Sequence, residues 1–259
     1  MPATIHPTAI VSPNAKIGSN VSIGPFAVIE DDVIIGDDSI IGQNACIYNG
    51  ARIGNRVKIF QGASVSNLPQ DLKYNGEETF LFIGDDTIVR EFATLHKGTT
   101  ARGKTVIGQN CLLMAYTHVA HDCIIGNKVI CSNGVQIAGH VTIEDNVIIG
   151  GLSAVHQFGK IGQHAMVGGG SMVNMDVPPF VMTSGYPARY MGLNIVGLRR
   201  RNFSNDSINA IKEAYRILYL SGLTFRNALD KLKSEFQSNE YVGSIVKFIE
   251  TSKRGILRR

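Results

Sequence analysis

Five of the seven histidines fall in one stretch: His96, His118, His121, His140 and His156. An imidazole is suited to taking a hydroxyl proton near neutral pH, so this cluster suggests general-base chemistry. Asp122 follows His121 directly, and a carboxylate there would orient the imidazole. Neighbours on a strand, however, point to opposite faces. Gly139 precedes His140. A glycine backbone N–H can stabilise a developing oxyanion, and the missing side chain lets substrate approach. A lone histidine in such a chain is more often a surface turn residue; several converging polar groups favour a site. The four cysteines, Cys46, Cys111, Cys123 and Cys131, contain no CxxC pair and read as buried thiols rather than metal ligands or disulfides. Arg199-Arg200-Arg201 and the terminal Lys253, Arg254, Arg258 and Arg259 are basic. They suit phosphates or an acidic protein. No aromatic residues interleave them, which argues against nucleic acid.

The elements that must position these groups follow a six-residue beat. Aliphatic residues recur at Ile5, Val11, Ile17 and every sixth position to Val65. They resume in phase at Ile83, Val89 and Leu95, and again from Ile107 to Val173. A small or β-branched residue comes four positions later, as at Ala15, Val21, Ala27 and Ala45, and glycine often follows the aliphatic one. Neither helical nor two-residue periodicity gives a strict six. Short strands joined by tight turns do, and the reading is a parallel β-helix. Two interruptions, near 66–82 and 96–106, keep the phase. They read as loops thrown outward, which often carry function. Beyond Pro178-Pro179 the beat stops. Residues 180–198 look irregular. Then Ser204 is a plausible cap for a helix ending near Gly222, Thr224 for a second through Leu232, and a third covers 241–251. The division expected is a β-helix over 1–190 and a small helical domain over 191–259, which must pack on the solenoid or another subunit to bury its apolar faces.

Bulk properties set wide limits. The chain has 259 residues, 44% hydrophobic and 18% charged, with net charge +4. That argues against disorder and is compatible with an anionic substrate or acidic partner. No apolar run is long enough to span a membrane and no secretory signal is seen, so a cytoplasmic protein is expected.

The beat resembles the hexapeptide-repeat family, whose three-sided prism makes each coil of three hexads. The resemblance also implies left-handed winding, where the crossover rule for ordinary sheets would give right-handed. With 18-residue coils, His121, Gly139 and Gln157 stack in one column, with coils roughly 4.8 Å apart. His140 and Phe158 stack over Asp122, and His156 neighbours Gln157. Zinc binding of the γ-carbonic anhydrase type, through His118, His121 and His140, is the alternative of another class. Its spacing is unfavourable, since a histidine pair five residues apart is absent. A non-catalytic scaffold is the third reading.

More specific runs are Asn67-Leu68-Pro69-Gln70-Asp71-Leu72-Lys73-Tyr74, His118-Val119-Ala120-His121-Asp122-Cys123, Ala138-Gly139-His140, Ala154-Val155-His156-Gln157-Phe158 and Gly197-Leu198-Arg199-Arg200-Arg201. In these the chain resembles the UDP-N-acetylglucosamine O-acyltransferases of lipid A synthesis, along essentially its full length. The resemblance implies that His121 is the general base, Asp122 its partner and Gly139 the oxyanion donor, with no covalent acyl-enzyme. It further implies that Gln70, Asp71, Lys73, His96, His118, His140, Gln157, Asn194 and Arg200 contact nucleotide sugar or acyl donor. Gly169, with Gly151 one coil below, matches the acyl-chain ruler, and small residues there imply a long chain. The donor implied is a 3-hydroxyacyl chain on acyl carrier protein, which is acidic and gives the basic tail a use. A homotrimer with sites between subunits is implied, with no metal or other cofactor. Val196 stands where an acidic nucleotide contact is common, and Tyr186 and Pro187 also depart from the pattern. The related N-acyltransferases carry an extra N-terminal domain, for which a repeat beginning at Ile5 leaves no room.

Overall fold

The computed structural model describes residues 1–258. Three sheets of eleven, nine and eight strands form the walls of a three-sided solenoid. Successive strands go to different sheets, and each pairs in parallel with the strand one coil away. The register is 18 residues: His118 lies opposite Gln136, Ile124 opposite Thr142 and Ile130 opposite Ile148. The offset rises to 30 at Lys58 and Ile88, and to 24 at Ile88 and Leu112. The two excursions therefore add twelve and six residues. Both are multiples of six, which is why the beat survives them.

The beat has a plain physical cause. Most wall strands are two residues long, and in each the sixth-position side chain points inward. Ile29, Ile47, Val65, Leu95, Val119 and Ile137 form one such column, each at most 1% exposed. Burying one aliphatic side chain of this size is worth about 1.5–3 kcal/mol, and the column supplies it at every coil. The small slot lies at the corner, where a hydroxyl or thiol reaches a carbonyl 15 residues on. Ser39 donates to Gly54 O, Cys111 to Gly126 O, Cys123 to Ala138 O and Ser153 to Gly168 O. That is the use of Cys111 and Cys123; all four cysteines are free thiols, with Cys111, Cys123 and Cys131 buried and Cys46 half-buried.

Most corner turns carry a residue with positive φ. Many are not glycine: Asp122 is at 59°, Asn146 at 62°, Leu152 at 58° and Phe158 at 64°. The left-handed region is disfavoured for such residues. Asn146, Leu152 and Phe158 are held by donating their N–H to the coil below, to Asn127 O, Asn133 O and Gly139 O, while Asp122 is held through its carboxylate and its carbonyl.

Residues 180–198, expected to be irregular, are ordered differently. Val181–Gly185 joins the eleven-stranded sheet in parallel, and Ala188–Leu193 pairs back on it antiparallel. A short helix α1, Ile195–Arg200, follows. A hairpin needs no six-residue beat, so the period gave no sign of it. The division expected at 190/191 falls inside the second hairpin strand.

Helices α2 (Asn205–Leu220), α3 (Phe225–Glu235) and α4 (Glu240–Glu250) stand where the capping residues place them, with Ser204, Thr224 and Asn239 accepting from first-turn N–H groups. Tyr215 of α2 donates to Pro179 O at 2.6 Å, and the Tyr219 ring packs tilted against Tyr190 of the hairpin at 4.5 Å. Lys160 of the solenoid sits over the Phe248 ring of α4 at 4.3 Å. The helices thus bury their apolar faces against one another and the solenoid end. Arg259 lies outside the described residues.

Candidate functional site

One corner of the prism carries the histidine chemistry. His140 N–H donates to His121 O, and Phe158 N–H to Gly139 O, so the stacking expected from 18-residue coils is present. His121 is 5% exposed and Asp122 fully buried. His121 Nδ1 lies 2.8 Å from Asp122 Oδ2. The objection that adjacent residues face apart is met by the backbone: Asp122 is no strand residue but sits at φ 59° in the corner turn, which swings its carboxylate back beside the imidazole. With Nδ1 held, Nε2 is the end left for chemistry. It faces Asp71 Oδ2 at 3.9 Å, and a Cβ built on Gly139 would lie 2.7 Å from Nε2. Among the described residues, no backbone acceptor takes the Gly139 N–H.

The other histidines surround this pair. His140 meets His121 edge-on with ring centres 5.1 Å apart, and its other face stacks on Phe158 at 4.6 Å. His96 and His118 contact each other at 5.1 Å. His96 Nδ1 is 2.5 Å from Leu68 O, and His118 Nδ1 is 2.8 Å from Thr94 Oγ1. Burial, with help from neighbouring histidines, depresses the His118 pKa to about 4 and lowers those of His96 and His140. These rings are therefore neutral at pH 7 and able to accept as well as donate. Burial alone would raise the Asp122 pKa. Hydrogen bonds from His121 and Thr99 outweigh it and hold the carboxylate below its usual range.

The first loop, 68–79, does not simply project outward: it carries Asp71 to the base. Gln70 and Lys73 are exposed on it, and Asp71 Oδ1 accepts from the Lys73 N–H. Gln157 is one coil above Gly139 at the same corner, half-buried, while His156 is exposed with Nδ1 3.1 Å from Gln157 O. Sequence reasoning missed the second loop's part. Thr99 Oγ1 donates to Asp122 Oδ2 at 2.7 Å, Thr99 N–H to Oδ1 at 3.0 Å, and Arg102 Nη1 to Asp122 O at 2.7 Å. A polar residue in an in-phase loop was the only available signal.

The remaining candidates lie elsewhere on this chain. Gly151 and Gly169 are at a second corner, where Gly170 N–H donates to Gly151 O. Asn194 is at the third: it caps α1 through Gly197 N–H and donates to His164 O at 3.0 Å. Arg200 is exposed at the end of α1, while Arg201 is partly buried and donates to Asn146 O. So the basic run is not a uniform solvated linker.

The donor set nearest to a metal centre is His121, Asp122 and His140, whose ligand atoms lie within 4.8 Å of one another. It is not the set expected for zinc, because His118 is bound to Thr94 instead. Asp122 Oδ2 already accepts from Thr99 and contacts His121, so the carboxylate is committed to orienting the imidazole.

Comparison with known proteins covers most of the chain. Residues 176–257 match the family described as Udp N-acetylglucosamine O-acyltransferase, domain 2, and residues 104–130 match the bacterial transferase hexapeptide repeat. The chain is 48% identical over 207 residues to the acyl-[acyl-carrier-protein]–UDP-N-acetylglucosamine O-acyltransferase of Myxococcus xanthus, covering 80% of each chain. It is 46% identical over 211 residues to that of Burkholderia lata, again 80% of each. The crystal structure of the UDP-N-acetylglucosamine acyltransferase from Bacteroides fragilis superposes with TM-score 0.96 at 45% identity, over 98% of this chain and all of that one. The fold is thereby a left-handed parallel β-helix with a small helical C-terminus, and the carbonic anhydrase alternative finds no support.

Proposed function

Since the chain belongs to the UDP-N-acetylglucosamine O-acyltransferase family, we propose that it moves a 3-hydroxyacyl chain from acyl carrier protein to the 3-hydroxyl of UDP-N-acetylglucosamine, the first step of lipid A synthesis. The observation that carries the mechanism is the buried His121–Asp122 pair beneath Gly139. His121 Nε2 takes the proton of the sugar hydroxyl as its oxygen attacks the thioester carbonyl. The carbonyl oxygen gains charge and is met by the Gly139 N–H. Collapse breaks the carbon–sulfur bond, and the thiolate leaves with the proton returned by His121. Asp122 stays ionised, fixing the tautomer and offsetting the charge on the imidazolium. No residue is acylated, and both base and oxyanion donor come from the chain itself.

A single chain does not close this site. The base, the ruler glycines Gly151 and Gly169, and Asn194 with Arg200 occupy three different corners. A homotrimer, packing the corner of one prism against a wall of the next, would bring them together. A ridge supports this: Phe92, Tyr116 and Leu152 are 49%, 61% and 80% exposed at the ruler corner, with Phe92 stacked on Tyr116. The basic C-terminus suits acidic acyl carrier protein, although Arg254 already donates to Asn174 O and Gln157 O. No described helix is long and apolar enough to cross a membrane, and cytoplasmic carriers of acyl chains fit a cytoplasmic enzyme.

His121→Ala tests the base. Transfer from 3-hydroxyacyl-carrier protein to the sugar nucleotide should fall by about a hundredfold to ten-thousandfold with the melting temperature retained. A folded variant that transfers at the normal rate would sink the mechanism.

A further inference from the structure

We infer that Thr99, on the second loop, is a positioning residue for the catalytic pair, acting through Asp122. The carboxylate is fully buried. Thr99 Oγ1 and backbone N–H grip its two oxygens at 2.7 and 3.0 Å, while His121 Nδ1 shares Oδ2 with the Thr99 hydroxyl at 2.8 Å. The loop is itself fixed at several points. Arg102 donates to Asp122 O, Thr100 N–H donates to Glu77 Oε1 on the first loop, and Gly103 N–H closes on Thr99 O at 2.7 Å. Lys97 lies over the Tyr74 ring of the first loop. Six residues inserted in phase thus deliver a hydroxyl to a carboxylate 23 positions away. The same corner holds Asp122 at φ 59°, where the side chain would otherwise be free to turn from the imidazole.

The consequence is electronic as well as geometric. Two donors on Asp122 draw off part of its charge and so moderate its pull on the imidazole proton. Other groups facing His121 are Asp71 at 3.9 Å, His140 edge-on, and His96 and His118 across the loop. Arg102, Glu77 and, at 3.8 Å from Oδ2, His140 Nε2 face Asp122. Removing the Thr99 hydroxyl leaves these in place but frees a lone pair of Asp122. The carboxylate then turns, or holds the charged imidazolium more strongly.

The inference rests on His121 as base, and the test separates the two. Thr99→Val keeps the shape and removes the hydroxyl; Thr99→Ser keeps the hydroxyl. Thr99→Val should lower kcat, with KM for sugar nucleotide little changed, by about tenfold to a hundredfold, the range for a charge-assisted hydrogen bond. The acidic limb of its pH–rate profile should move to higher pH, and Thr99→Ser should recover most of the rate. A Thr99→Val enzyme with unchanged kcat and pH profile overturns the inference. So does a Thr99→Ser enzyme as impaired as Thr99→Val, which would mark a packing role. Because His121→Ala is read in the same assay, loss there with no effect at Thr99 removes only this inference; activity there removes the base itself.

Discussion

Replacing Gly139 by alanine tests the site's geometry more sharply than removing the base. The backbone at Gly139 is not in the left-handed region, so alanine is tolerated conformationally. The N–H proposed to meet the oxyanion is also kept. What changes is space. The new Cβ would stand 2.7 Å from both Cε1 and Nε2 of His121. Carbon atoms pack at about 3.5–4.0 Å, so the ring must retreat by about 0.8 Å or more. It has little freedom to do so. Nδ1 is tied to Asp122 at 2.8 Å, Asp122 is tied to Thr99, and His140 closes the side at 5.1 Å. A misplacement of about 1 Å in a reacting group costs about a hundredfold in rate, or about 2.7 kcal/mol of barrier. Gly139→Ala should therefore lower kcat by about that factor, read as acyl transfer to the sugar nucleotide, and melt close to the parent. Gly243→Ala is the control. It lies in α4 with no atom within 4 Å of a built Cβ, and should leave the rate alone while gaining about 0.5–1 kcal/mol of helix stability. A folded Gly139→Ala enzyme within about threefold of the parent rate would refute the placement of the base under this glycine.

The proposed sharing of sites between subunits of a trimer predicts complementation: co-expressed His121→Ala and Arg200→Ala chains should recover about one quarter of the sites by random mixing, whereas sites within one chain would give none. Gly169→Met should shift preference toward shorter acyl carrier protein thioesters, read from a panel of chain lengths; an unchanged profile would remove Gly169 as the ruler. Stability should fall on acidification. Burial depresses His118 and His164 to about 4 from 6.5, so below about pH 6.5 the unfolded chain binds more protons than the folded one. Stability present above pH 6.5 is then lost as pH falls toward 4, by about 2–3 kcal/mol per histidine after allowance for residual solvent contact. Urea midpoints at pH 7 and 4.5 should show this, and His164→Gln should make the fall shallower.

How much of this was legible in the chain depends on whether a contact obeys the period. A six-residue beat converts position into side and coil, so the column of His121, Gly139 and Gln157 follows from counting once the prism has three sides. Contacts off the beat do not follow. The hairpin of Val181–Gly185 and Ala188–Leu193 pairs antiparallel and has its own register, and no repeat could announce it. Thr99 meets Asp122 from a loop whose course the period leaves open, and Asp122 faces its neighbour because a corner residue at φ 59° does not alternate as a strand residue does.

The same counting carries one step further. Gly151 comes thirty residues after His121, which is one coil and two further sides of a three-sided prism. It cannot stand at the base's corner, and the structure puts it at the corner of Leu152 and Gly170. Asn194 escapes the count, but its bond to His164 O sets it at the remaining corner. If all of these touch one substrate, as the family resemblance implies, the prism walls of one chain stand between them. A rigid solenoid cannot fold back to close that gap, because each coil contacts only its neighbours. Assembly is then a requirement of the chemistry, and subunit mixing is the measurement that decides it.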